Sequence, residues 1–157
     1  PDVVAFGKKA QVCGVMAGGR VDEVPDNVFA VSSRLNSTWG GNLTDMVRAR
    51  RILEVIESEQ LIERAGLVGE HLLQSLHALA GSHEVVSDVR GRGLMCAFTL
   101  PAAELRDAVV TRLREDEHVM LLGCGTSSVR VRPALTVRVE DLDRGLAALD
   151  RVLTALT

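Results

Sequence analysis

The sequence has no tyrosine, one tryptophan and three phenylalanines, and its positive charge comes almost wholly from one residue type. Sixteen of the eighteen cationic side chains are arginine; Lys8 and Lys9 are the only lysines. With a net charge of −3 there is no basic excess, which argues against a nucleic-acid-binding role. No apolar run approaches the roughly 20 residues that span a bilayer, so no membrane segment is expected. The three cysteines, Cys13, Cys96 and Cys124, are an odd number and far apart, which excludes a closed disulfide framework. Their apolar or glycine-rich settings read as small core residues in a reducing compartment. The four histidines have no metal-ligand spacing among themselves or with the cysteines, and no metal site is expected.

What is present begins with that scarce lysine. Val3-Val4-Ala5-Phe6 reads as the end of a buried strand, and Gly7 breaks it just before Lys8-Lys9. A second strand is expected over Val12 to Ala17, ending in Gly18-Gly19. Where charge alone is needed this chain uses arginine. A lysine is irreplaceable where its amine must attack a carbonyl, which a guanidinium cannot do. The alternative is a solvated lysine pair in a turn.

Residues 20 to 41 have no sustained periodicity and read as a long irregular loop, of the kind that is usually functional or disordered. Its most specific part is Asn36-Ser-Thr38-Trp39-Gly40. Asn42 is a good N-cap, with Asp45 completing something close to a capping box. Leu43, Met46, Val47, Leu53 and Ile56 give helical spacing to about Glu57, and a second helix is expected from Gln60 to Ala80. Both stripes read as core. Strands are expected over Val85 to Val89, Leu94 to Leu100, Val119 to Leu122 and Ser128 to Arg132. A turn is expected at Gly123-Cys-Gly125, with helices from Pro101 to about Glu115 and from Glu140 to Leu156. In Val129-Arg-Val-Arg132, alternation puts the valines on one face and the arginines on the other. Taken alone, Arg130 and Arg132 read as salt-bridging residues, and Thr38 as an ordinary loop threonine.

Read together, these stretches resemble the class III aminotransferases. The resemblance rests on Phe6-Gly-Lys8-Lys9 followed by a small-residue strand, the Asn36-Ser-Thr38-Trp39 loop, Arg90-Gly-Arg-Gly93-Leu-Met, and Val129-Arg130-Val-Arg-Pro-Ala-Leu. It covers nearly all of the chain. Val131 departs from the pattern, standing where the family usually carries an aromatic.

The resemblance implies an α/β fold, the C-terminal part of a fold-type I transferase dependent on pyridoxal 5′-phosphate (PLP). Residues 1–41 would close the large PLP-binding domain, 42–60 form a linking helix, and 61–157 make the small C-terminal domain. The same likeness implies that Lys8 holds PLP covalently and is the catalytic lysine. It also implies that Thr38 donates to the PLP phosphate of a neighbouring subunit in a homodimer, and that Arg130 binds a substrate carboxylate. Arg90-Gly-Arg-Gly93 is implied to be a structural strand entry rather than a phosphate loop. Within the family the likeness is to members that move the ε-amino group of L-lysine to 2-oxoglutarate, in the cytoplasm. A member acting on ornithine or 4-aminobutyrate, or a non-catalytic α/β interaction module, remains open from these residues. The 157 residues are expected to be the C-terminal portion of a longer polypeptide and inactive by themselves.

Overall fold

A computed structural model describes residues 1–8, 12–35 and 37–157, so Lys9 and Asn36 lie outside the described residues. These form two compact units, Pro1–Glu59 and Gln60–Thr157.

In the first unit, strands β1 (Val3–Phe6) and β2 (Gly14–Ala17) pair antiparallel, with Val3 opposite Ala17 and Phe6 opposite Gly14. Because Phe6 pairs with Gly14, β2 begins only at Gly14, and Val12 and Cys13 lie outside it rather than in the expected longer strand. The expectation of a buried strand also fails here. Val3 is 50% exposed, since a two-stranded hairpin has no layer across its faces within this unit. Cys13 is exposed too, not a core residue.

The loop that follows is held from within by Asn27. Its amide donates to the carbonyls of Val21 (3.1 Å) and Val24 (2.9 Å), and its oxygen accepts from the Phe29 and Ala30 amides. Helix α1 (Leu43–Ser58) then starts at Asn42, whose side chain accepts from Thr44 N at 2.9 Å. The rest of the expected capping box does not form, because Asp45 pairs with Arg48 one turn along at 3.1 Å. The apolar stripe of α1 was expected to be core, yet no residue of this helix is buried and Val47 is 70% exposed.

The second unit has its own core. Its elements are α2 (Leu61–Ser82), β3 (Ser87–Arg92), β4 (Met95–Thr99), α3 (Ala103–Glu115), β5 (Leu122–Cys124), β6 (Ser128–Val131) and α4 (Val139–Leu156). The sheet is antiparallel throughout in the order β3-β4-β6-β5. Alternation along β4 and β6 sends Cys96, Phe98, Val129 and Val131 to one face, where all four are buried. They join Leu72 and Leu76 of α2, Val109 and Leu113 of α3, and Leu149 and Leu153 of α4 in one core. The two residues of each pair sit four apart, so each helix offers one stripe.

Two strands depart from expectation for identifiable reasons. Val86 N bonds His83 O at 2.9 Å in a turn, which removes it from the ladder, so β3 begins at Ser87. Val119 N bonds Leu113 O at 2.8 Å, closing the end of α3, so β5 begins only at Leu122 and continues through Cys124. The turn therefore falls at Gly125, whose φ of 55° suits glycine.

The Arg90-Gly-Arg-Gly93 entry has a structural role. A Cβ on Gly69 of α2 would collide with the Gly93 backbone, and Gly93 itself has a φ of 54°. Helix and turn thus meet backbone to backbone. Gly69→Ala is expected to destabilise this unit by about 1–3 kcal/mol, the usual cost of overpacking. Thermal unfolding checks this, and an unchanged midpoint would mean that α2 can shift away freely.

Candidate active site

Each candidate side chain owes its place to a local feature of the fold. Lys8 follows the end of β1 by two residues and is exposed. Its φ is 54°, in the left-handed region that costs a non-glycine residue about 1–2 kcal/mol. Strain of this kind often accompanies functional sites, where the surroundings hold it in place. Thr38 lies in the turn after the long loop and is exposed, next to Trp39, which is 74% exposed. That turn is tied by Gly40 N to Ser37 O at 3.0 Å. Lys8 and Thr38 belong to the first unit and Arg130 to the second.

Arg130 stands on β6, between Ala97 of β4 and Leu122 of β5 in register. It lies on the sheet face opposite the core, with its backbone held on both sides. Its Nε is buried and has no hydrogen-bond partner among the described residues. An unmade bond at a buried charged group is costly, so this atom calls for an acceptor. Arg130 also lines a cavity of about 370 Å³ whose walls include Val119, Leu121, Leu146 and Leu149. Asp141 lines the same cavity but is engaged elsewhere. Its carboxylate accepts from Arg138 at 3.0 Å and from Arg144, and those bonds hold it below the usual aspartate range. Arg132, expected to be an ion pair, is exposed and forms no salt bridge among the described residues.

One cluster beside Arg130 has no forerunner in the sequence reading. Ser128, two residues before Arg130 on the same face, is the buried polar side chain of this sheet. Its hydroxyl meets Thr99 Oγ1 at 2.9 Å and accepts from Arg90 Nη2 at 3.2 Å. Arg90 also donates to Asp88 Oδ2 at 2.8 Å and to Thr99 Oγ1 at 3.1 Å. The network ties β3, β4 and β6 together just beside Arg130. Its only sequence signal is polar residues at alternating positions of three separate strands, which cannot be joined until the register is known.

In the first unit Lys8 offers an exposed primary amine on a strained turn and Thr38 an exposed hydroxyl. In the second, Arg130 offers a guanidinium with one unpartnered buried nitrogen, which suits an anionic acceptor.

The sequence model of the family described as Aminotransferase class-III matches residues 1–153. This chain belongs to the class III aminotransferases. It is 60% identical over 158 residues to an L-lysine-epsilon aminotransferase of Mycobacterium tuberculosis, covering 100% of this chain and 35% of that protein. The counterpart from Streptomyces clavuligerus is 53% identical, over 99% of this chain and 34% of its own. Among solved structures, the lysine aminotransferase of M. tuberculosis superposes with a TM-score of 0.93 at 59% identity, over 100% of this chain and 36% of that one. The chain thus spans about a third of the length of these class III relatives, and its α/β arrangement is theirs.

Proposed function

We propose that the complete protein is an L-lysine 6-aminotransferase, which moves the ε-amino group of L-lysine to 2-oxoglutarate. The products are aminoadipate semialdehyde, which cyclises, and glutamate. What carries this reading is the 60% identity to a lysine-epsilon aminotransferase along the whole of this chain. In this assignment residues 1–41 belong to the large cofactor domain, 42–60 link the domains, and 61–157 are the small domain. No helix among the described residues is long and apolar enough to cross a membrane. The reading carries with it a cytoplasmic homodimer.

When bound, PLP supplies the electron sink that lets a bond at the amine-bearing carbon break. Lys8 Nζ would be the amine that holds this group. The same Lys8 Nζ would serve as the base that moves a proton at the donor's ε-carbon. Arg130 offers a planar fork for a substrate carboxylate, and its orphaned Nε is the part of that fork already dry. Thr38 Oγ1 would donate to a phosphate oxygen of the neighbouring subunit's cofactor.

Steady-state kinetics of the complete polypeptide with 2-oxoglutarate test the donor. Lysine and ornithine differ by one methylene, worth about 10- to 200-fold in kcat/KM where a site reads chain length. Lysine is expected to lead by that margin over ornithine, with 4-aminobutyrate also behind. Equal or faster turnover of ornithine would overturn the assignment.

Thr38→Ala is expected to weaken PLP retention by about tenfold or more, since hydrogen bonds to charged groups contribute about 1.5–3 kcal/mol. Equilibrium dialysis against PLP reads this directly. An unchanged affinity would remove Thr38 from the phosphate site.

A further inference from the structure

The hairpin that carries Lys8 closes on an uneven pair. Phe6, the last residue of β1, stands opposite Gly14, the first of β2. A Cβ on Gly14 would lie 2.8 Å from Phe6 Cε1 and 3.1 Å from Cε2, closer than side chains approach one another. The phenylalanine ring therefore occupies the space over the glycine α-carbon. Beside it, a Cβ on Gly7 would lie 3.1 Å from Cys13 Sγ, so the segments just beyond the paired strands also lie close. Val3, Val4 and Ala5 of the same strand are exposed, whereas Phe6 is half-buried. A ring laid over a cross-strand glycine restores packing that the glycine lacks and pins the register at that pair.

Two residues past this pin, Lys8 adopts its left-handed conformation. Such a conformer persists only where the surroundings over-determine it. On the N-terminal side of Lys8, the ring on Gly14 is the last paired contact of the hairpin ladder, with Cys13 Sγ against Gly7 just beyond it.

We propose that Phe6 is a positioning residue: its ring, seated on Gly14, fixes the turn at Lys8 and so sets where the ε-amine stands. The proposal rests on the reading of Lys8 as the cofactor lysine. Phe6 touches no reacting atom in this scheme and acts only through the backbone at Lys8.

The experiment uses the complete polypeptide loaded with PLP. Borohydride reduction followed by peptide mapping reads how the pyridoxyl label divides between Lys8 and Lys9, and steady-state kinetics separate kcat from the KM for lysine. Phe6→Ala is expected to lower kcat by about tenfold or more, because small misplacements of a reacting group have effects of that order. The KM for lysine should stay within about twofold, since no substrate contact is lost. Part of the label should move from Lys8 to Lys9. Phe6→Tyr keeps the ring and should restore both the wild-type labelling and kcat. Gly14→Ala displaces the ring and should reproduce the Phe6→Ala defect, and the double variant should be no worse than either, as expected for two halves of one contact. If Gly14→Ala does not fold, Phe6→Leu, which keeps bulk but loses the ring, carries the same comparison. Wild-type kcat with label wholly on Lys8 in Phe6→Ala would overturn the proposal. A wild-type label found away from Lys8 overturns the cofactor-lysine reading itself, an outcome distinct from an unaltered Phe6→Ala.

Discussion

Replacing Lys8 with alanine in the complete polypeptide is expected to remove nearly all turnover while leaving the protein folded. The loss should reach about ten-thousandfold in kcat, the upper end of what one proton-transferring group supplies, because on the proposed reading the same amine also carries the cofactor. Lys8 is exposed at the end of a hairpin, so its truncation opens no core cavity and thermal stability should change little. Borohydride should then fix no pyridoxyl group at position 8. Lys9→Ala should retain both label and turnover, since in the family's pattern it is the lysine directly after the strand-breaking glycine that carries PLP. Equal loss in the two single variants would sink the assignment. Failure of wild-type protein to take any label would favour the non-catalytic reading.

Arg130→Lys is the second large effect. Lysine keeps the charge but loses the planar two-point fork, so the KM for 2-oxoglutarate should rise sharply while PLP still binds. Arg130→Ala should do more. Where a buried carboxylate is left without its cation, the cost is commonly about 3–5 kcal/mol, which would appear as lost stability of the liganded site. Arg132→Lys is the internal control, because Arg132 shares the face of Arg130 but is exposed. Kinetics of both half-reactions, with each substrate varied separately, check all three variants. A raised KM in Arg132→Lys with none in Arg130→Lys would move the carboxylate site two residues along, just past the end of β6. No effect in either would assign the carboxylate to another part of the protein and leave Arg130 structural.

Much of the second unit was legible in the sequence because its elements are read by period. The valines of β6 alternate, and the leucines of α2 and α4 recur every three or four residues, so one face of each was committed to a core before any contact was known. The strand ends were not legible. The turn at His83–Val86 and the closure of α3 by Val119 are backbone hydrogen bonds, and apolar content does not report them. The first unit was misread for a different reason. Val3, Val4 and the α1 stripe carry a core-like pattern, but periodicity states which face is apolar, not whether this unit supplies a layer to cover it. For the candidate site, Lys8 and Arg130 were legible as positions, one by its rarity and the other by its alternation. The left-handed turn at Lys8, the ring on Gly14 and the unpartnered Nε of Arg130 are geometric, and no residue pattern announces them.

The β3 edge of the four-stranded sheet also guards against misassembly. An open sheet edge is a row of unpaired amides and carbonyls on which another chain can add a strand. Here that row is broken. Its register shifts between Ser87 and Arg90, so an incoming strand finds no straight ladder to extend. Arg90 and Arg92 put positive charge on the same strand, and Arg90 is held down by Asp88, Thr99 and Ser128. The opposite edge, β5, is three residues long and too short to template much pairing. Both edges of this sheet are thus poor templates for a strand from another copy.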